Sequence, residues 1–229
     1  MAIVRKYRSR VVRIVQAKPD IFVVTFESLE KPFKFKPGQF LHLALDEYDP
    51  TKAWPESRCF SMQSSPDDPL LKITFSVKGK YTTRLSKELI SGKEALIKMA
   101  YGDIFQKEHD KSNCVFIAGG TGITPYLSLF TSRHFQDYKN PTLYFGIRDD
   151  SFNIYHEEIS RSLTINPSLN VTIINQKNEG LLNIETILND NGVESIYFIS
   201  GPPVMIRAFK DYLISEQVNA DQIRTDDWE

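Results

Sequence analysis

Apolar and polar positions follow two different rhythms along this chain. In the first half the apolar residues form short strand-like runs, Val11 to Val15 and Ile21 to Phe26, parted by the turn signal Lys18-Pro19-Asp20. Phe40 to Leu45 and Leu71 to Val77 alternate apolar with polar residues, the period of a half-buried strand. One helix is predicted around Thr82 to Ile90, with Thr and Ser residues available to cap it. Several short strands and a single helix predict a small antiparallel β-barrel. Beyond the polar stretch Glu108 to Asn113 the rhythm becomes strand and helix in alternation. Val115 to Ala118, Thr142 to Ile147, Asn170 to Ile174 and Ser195 to Ser200 read as strands. A helix ending near Phe135, and two more over Tyr155 to Leu163 and Val204 to Ile214, fall between or after them. That order predicts a parallel sheet with helices on its faces. The expected fold class is α+β in two domains: an antiparallel β-barrel over 1–108, then an α/β parallel-sheet domain over 109–229.

Composition narrows the function classes. The 229 residues suffice for two small domains, and 41% hydrophobic with 25% charged residues is ordinary for a soluble globular protein. A net charge of -1 argues against a nucleic-acid partner, which would demand a basic excess. Locally, Arg5, Lys6, Arg8, Arg10 and Arg13 all precede the first acid, Asp20. They read either as a solvated strand face or as a docking patch for an acidic partner. The two cysteines, Cys59 and Cys114, exclude a disulfide scaffold and a four-cysteine iron–sulfur cluster on this chain. No apolar signal core follows the basic N-terminus, and runs such as Cys114 to Ala118 are too short to span a bilayer. A cytoplasmic protein without a membrane span is therefore expected. His42, His109, His134 and His156 have no metal-ligand spacing, so no metal is expected.

Glycine-rich turns carry the candidate chemistry. Ala118-Gly119-Gly120-Thr121-Gly122-Ile123-Thr124-Pro125 closes a predicted strand and opens a helix, where backbone amides suit a pyrophosphate. A tight turn that merely packs gives the same pattern. Ser200-Gly201-Pro202-Pro203-Val204-Met205 lies at another strand end, and its prolines serve equally to start a helix. Both turns fall at carboxyl ends of predicted parallel strands, where ligands bind in such sheets. In the first half, Arg58-Cys59-Phe60-Ser61 follows an irregular segment from Asp46 to Ser57. Arg58 suits a phosphate clamp, and Phe60, two residues on, shares its face and offers a flat ring. The plain alternative is a solvent Arg beside a core Phe. Gly79-Lys80-Tyr81-Thr82-Thr83-Arg84-Leu85 sets a glycine and hydroxyls at a helix start, as a phosphate cradle or an ordinary cap.

Taken in order, these segments resemble the ferredoxin–NADP(+) reductase superfamily over nearly the whole chain. Pro37-Gly38-Gln39-Phe40 resembles its strand before the flavin site, and Arg58 to Ser61 its Arg-x-Tyr-Ser motif with Phe60 replacing the tyrosine. Gly79 to Leu85 resembles Gly-x-x-Ser-x-x-Leu, with Thr82 in the Ser place. Gly119 to Pro125 resembles Gly-Gly-Thr-Gly-x-x-Pro, and Ser200 to Met205 resembles Cys-Gly-Pro-Pro-x-Met. The resemblance implies a barrel holding FAD and a second domain holding NADH or NADPH. It implies that Arg58 binds the FAD pyrophosphate, Phe60 packs on the isoalloxazine and Ser61 lies near its reacting nitrogen. Cys59, Gly79, Thr82 and Thr83 complete that site by the same carry-over. Gly119, Gly120, Thr121, Gly122, Pro125, Gly201, Pro202 and Met205 line the nucleotide, with Ser200 at the nicotinamide. Ser61 and Ser200 are thus the candidate catalytic residues.

Three departures modify the expectation. Phe60 keeps the ring and drops a hydroxyl. Ser200 stands where many relatives have a cysteine, which predicts slower hydride transfer. Trp228 takes the place of an aromatic that many relatives set near the flavin, a frayed terminus being the alternative. Arg148, a candidate for a nucleotide 2′-phosphate, is followed by Asp149 and Asp150, which repel one, and Lys177 is the other nearby cation. NADH is slightly favoured. The resemblance implies an NAD(P)H-dependent FAD oxidoreductase passing electrons to a separate acceptor: a small redox protein such as a ferredoxin, flavodoxin or cytochrome, or an oxygenase component. A free-flavin or small-acceptor reductase and a non-catalytic nucleotide-binding subunit are the alternatives, and no motif specifies an oligomeric state.

Overall fold

The computed structural model describes residues 4–226, so Trp228 lies outside the described residues. The chain divides into two compact units between Asp103 and Ile104. Ile104 and Phe105 already pack in the core of the second unit, which places the division ahead of the polar stretch 108–113.

The first unit runs β1 (Arg5–Lys18), β2 (Ile21–Ser28), β3 (Phe40–Ala44), β4 (Ser57–Ser61), β5 (Leu71–Ser76), α1 (Lys80–Glu88) and β6 (Glu94–Tyr101). Its sheet has the order β4-β3-β6-β1-β2-β5, with every pairing antiparallel. Just past β4, the Gln63 amide donates to the Lys72 carbonyl at 2.8 Å, and the Thr74 hydroxyl donates to the Gln63 side chain. Those bonds draw the two edges together into a nearly closed barrel. Val11, Val24, Phe26, Leu41, Leu43, Ile73 and Ile97 fill its interior. β6 escaped the sequence reading because Leu96 points outward and breaks the alternation of Ala95, Ile97 and Met99.

The second unit runs β7 (Cys114–Gly119), α2 (Thr124–Phe130), β8 (Thr142–Ile147), α3 (His156–Ile165), β9 (Asn170–Asn175), α4 (Gln176–Glu179), α5 (Ile184–Asn191), β10 (Ile196–Ser200), α6 (Pro203–Ser215) and β11 (Ile223–Thr225). The sheet order is β11-β10-β7-β8-β9, all parallel. Alternate residues of β7 serve opposite faces. Phe116 and Ala118 pack with Tyr126, Leu127 and Ile159 of α2 and α3, while Val115 and Ile117 meet Ile187, Ile206 and Phe209 of α5 and α6. The helix expected to reach Phe135 stops at Phe130, because the Thr131 and Ser132 hydroxyls bond back to the Leu127 and Leu129 carbonyls. Strand order reverses between β7 and β10, which opens a crevice at their carboxyl ends. Among the described residues no helix is long and apolar enough to cross a membrane.

Candidate functional site

In the barrel, β4 and the start of α1 bring two sequence-distant segments together. The exposed Arg58 guanidinium lies 4.8 Å over the Tyr81 ring and pairs with the Glu56 carboxylate at 2.9 Å. Tyr81, in the first turn of α1, is buried, and its phenol shares its one proton between the carbonyls of Leu43 (3.0 Å) and Glu56 (2.9 Å). Burial pushes this phenol up to about 12, so it stays a donor that ties α1 to β3 and β4. At the helix start Thr82 Oγ1 accepts the amides of Lys78 (2.9 Å) and Gly79 (3.0 Å), and the Thr83 hydroxyl donates to the Gly79 carbonyl. The Thr82 hydroxyl therefore acts as a cap, the plainer of its two sequence readings. The Thr83 amide donates to the Gly79 carbonyl at 2.9 Å, so the amides of Lys80 and Tyr81 belong to the first turn, ahead of the intrahelical bonds. No acidic side chain occupies that first turn, and a Cβ built on Gly79 meets nothing within 4 Å. An anion beside Arg58 has both a cation and an open helix N-terminus to meet.

The remaining β4 residues divide by face. Phe60 lies on the Arg58 face but is only 8% exposed, its ring 5.9 Å from Phe75 in the barrel core. Ser61 is buried as well. Cys59 turns to the opposite face, toward His42 of β3.

In the second unit the two glycine-rich turns touch. β7 and β10 are ladder neighbours, with Ala118 opposite Ser200. A Cβ on Gly122 would lie 2.6 Å from the backbone of Ser200 and Gly201, and one on Gly119 would lie 2.9 Å from the Pro202 ring and 3.0 Å from the Met205 sulfur. Gly120 has φ +55 with open space around it, the conformation and clearance of a backbone that a ligand approaches. Thr121 continues this turn and Pro125 sits at the head of α2. The buried Ser200 hydroxyl donates to the Asp226 carboxylate at 3.2 Å, and the Asp226 amide donates to the Ile199 carbonyl at 3.0 Å. Asp226 was not singled out from the sequence, because the three-residue β11 that delivers it is too short to show a period.

At the ends of β8 and β9 the Arg148 guanidinium lies 4.7 Å over the Phe152 ring, and the Lys177 amide donates to the Arg148 carbonyl. Asp149 accepts from Ser151, Asp150 from the Asn175 side chain and Glu179 from the Asn175 amide. Arg148 and Lys177 thus share these strand ends with three carboxylates. On β1, Arg8 pairs with Glu94 at 2.9 Å and Arg10 with Glu27 at 3.3 Å, and Lys6 lies over the Tyr48 ring. Two of the five cations of the basic run, Arg8 and Arg10, are thus paired with carboxylates of neighbouring strands.

Residues 6–144, more than half of the chain, match the FAD-binding domain family. The chain belongs to that family. Residues 116–211 of this FAD-binding protein match the NAD-binding domain of oxidoreductases. The reductase component of propane 2-monooxygenase from Rhodococcus jostii is 28% identical over 96% of this chain and 63% of its own length. The reductase component of phenol 2-monooxygenase from Pseudomonas is 28% identical over 77% of this chain and 49% of its own. The chain therefore spans about half to two thirds of the curated relatives it matches. Its fold is that of ferredoxin–NADP(+) reductases: the structure of one from Neisseria gonorrhoeae, with bound FAD and NADP, superposes with a TM-score of 0.78 at 16% identity over 99% of both chains. The residues present fit these groups. The start of α1, with a cation beside it and no acid in its first turn, would suit an anionic group, and close-packed glycines with one open turn lie at the switch point of the parallel sheet.

Proposed function

We propose that this chain is an NAD(P)H-dependent FAD oxidoreductase that passes electrons to a separate acceptor. The observation that carries the reading is the Arg58 guanidinium lying over the ring of Tyr81 in the first turn of α1, which sets a cation beside the first-turn amides of Lys80 and Tyr81 and suits a cofactor with two phosphates. FAD, when bound, supplies a ring that takes up a hydride and releases electrons singly. Arg58 and those amides hold its pyrophosphate, Gly79 leaves room for it, and Thr82 with Thr83 locks the helix start. Phe60 and Ser61 border the ring, and Cys59 contributes its backbone to the same strand. In the second unit Gly120 and Thr121 face the nucleotide pyrophosphate. Gly119, Gly122, Gly201, Pro202 and Met205 set the close packing that fixes both turns, with Pro125 starting α2. Ser200, oriented by Asp226, borders the nicotinamide.

The charge at the ends of β8 and β9 favours NADH, since Arg148 and Lys177 are outnumbered by Asp149, Asp150 and Glu179 and a 2′-phosphate would be repelled. The acceptor is a small redox protein or oxygenase component, by analogy with the reductase components this chain resembles. The test is NADH-dependent reduction of ferricyanide by the FAD-loaded protein. Turnover well above that of free FAD supports the reading. Turnover that requires FAD to dissociate each cycle would point to a free-flavin reductase, and no turnover would overturn the proposal.

A further inference from the structure

We propose that Glu56 is a built-in competitor for the FAD pyrophosphate, a carboxylate that engages Arg58 and sets how loosely the cofactor is held. Glu56 thereby acts against the group that Arg58 binds, a role that rests on the FAD reading above. Two guanidiniums lie over the ring of Tyr81, Arg58 at 4.8 Å and Arg84 at 5.9 Å. They are held differently. Arg84 bonds both oxygens of Asp46 (2.8 and 3.2 Å) through its terminal nitrogens and Glu88 (2.8 Å) through Nε. Forked onto two carboxylates, it is committed to joining α1 to the segment after β3. Arg58 has a single carboxylate contact among the described residues, Nη2 to Glu56 Oε1 at 2.9 Å, while Nη1 donates to the Ser57 carbonyl at 2.8 Å. Of the two cations, Arg58 is the one that a phosphate can recruit.

The backbone of Glu56 keeps its side chain close. Its carbonyl accepts from the Tyr81 phenol at 2.9 Å, so the stem is pinned beside the same ring that carries Arg58. A phosphate that engages Arg58 therefore meets a carboxylate. It either displaces Glu56 from Nη2 and forfeits that pair, or lies beside Glu56 and is repelled. The first turn of α1 holds no acid, and Asp46 and Glu88 are taken up by Arg84. The opposing charge at this site is thus that of Glu56. Its size is bounded by exposure: the pair is 51% and 55% exposed, where water screens a single charge strongly.

The probe is FAD titrated into the flavin-stripped full chain, followed by flavin fluorescence, for the unmutated protein and Glu56→Gln. The amide keeps the side-chain shape and the backbone tie to Tyr81, so the melting temperature should stay nearly unchanged. Glu56→Gln should bind FAD roughly 3- to 10-fold more tightly, the scale of one exposed charge interaction. In about 1 M KCl, where exposed charges are screened, the gain should fall below ~2-fold. A residue that merely orients Arg58 predicts the opposite sign. Equal or weaker binding by the variant would overturn the inference and leave the FAD reading standing, as would a gain that salt does not diminish, which marks packing in place of charge. No FAD binding by either chain would overturn the FAD reading and this inference with it.

Discussion

Arg58 and Thr82 sit within one small site and are assigned different work, which makes them separable. Arg58 is exposed, and its pair with Glu56 is a surface ion pair worth less than about 1 kcal/mol to the fold. Arg58→Ala should leave the melting temperature nearly unchanged yet weaken FAD binding roughly 10- to 100-fold, the equivalent of about 1.5–3 kcal/mol for bonds to a charged group. Thr82→Ala should do the reverse: lose about 1 kcal/mol of stability through the cap and largely keep FAD affinity. Flavin fluorescence titrations beside thermal melts decide both. His109 supplies a pH test. It is hydrogen-bonded to the Lys107 carbonyl and the Tyr138 hydroxyl, each at 2.8 Å, and burial holds it below its ordinary value. Between the folded and unfolded values the unfolded chain binds a proton that the folded one refuses, so stability falls as pH drops below about 6.5. His42 acts in the same direction. Melts at pH 7.5 and 5.5 should show the loss, and His109→Gln should reduce it.

At the scale of elements, the contact between the two glycine turns is the feature most sensitive to substitution. Gly122→Ala would drive a methyl into the backbone of Ser200 and Gly201 at 2.6 Å, where no side chain can swing aside. It should separate β10 from β7, destabilise the second unit by several kcal/mol on the order of other overpacked sites, and abolish NADH binding. Gly120→Ala meets open space and faces only the strain of its positive φ, about 1 kcal/mol. Calorimetric titration with NADH and thermal melts distinguish the two. The turns were legible in the sequence because glycine clusters announce themselves. Their mutual contact was legible only through the rule that parallel strands gather their carboxyl ends. The inward burial of Phe60 beside an exposed Arg58 is the plain alternative that the sequence offered. Its spacing from Arg58 correctly placed both on one face, but the Phe75 ring against it comes from a strand whose position no local pattern reveals. Tyr81 was likewise quoted only as part of a helix start, and its tie to β3 and β4 depends on tertiary packing.

For the whole molecule, the change of rhythm near the middle of the chain was enough to read a barrel followed by a parallel-sheet unit. The division fell earlier than the polar stretch because Ile104 and Phe105 are drawn into the second core. Strands β6 and β11 were missed because one carries an outward Leu and the other is three residues long. The nucleotide preference belongs at this scale too, since it depends on the balance of five charged side chains from two strand ends. NADH should show a kcat/KM at least ~10-fold above NADPH, and replacing Asp149 and Asp150 with Asn should narrow that ratio. The most direct test of the account is the absorption spectrum of the FAD-loaded protein under anaerobic conditions, before and after one equivalent of NADH. The account predicts that the flavin bands bleach within seconds and return when an oxidant is admitted. Bound flavin whose bands NADH and NADPH both leave intact would contradict it.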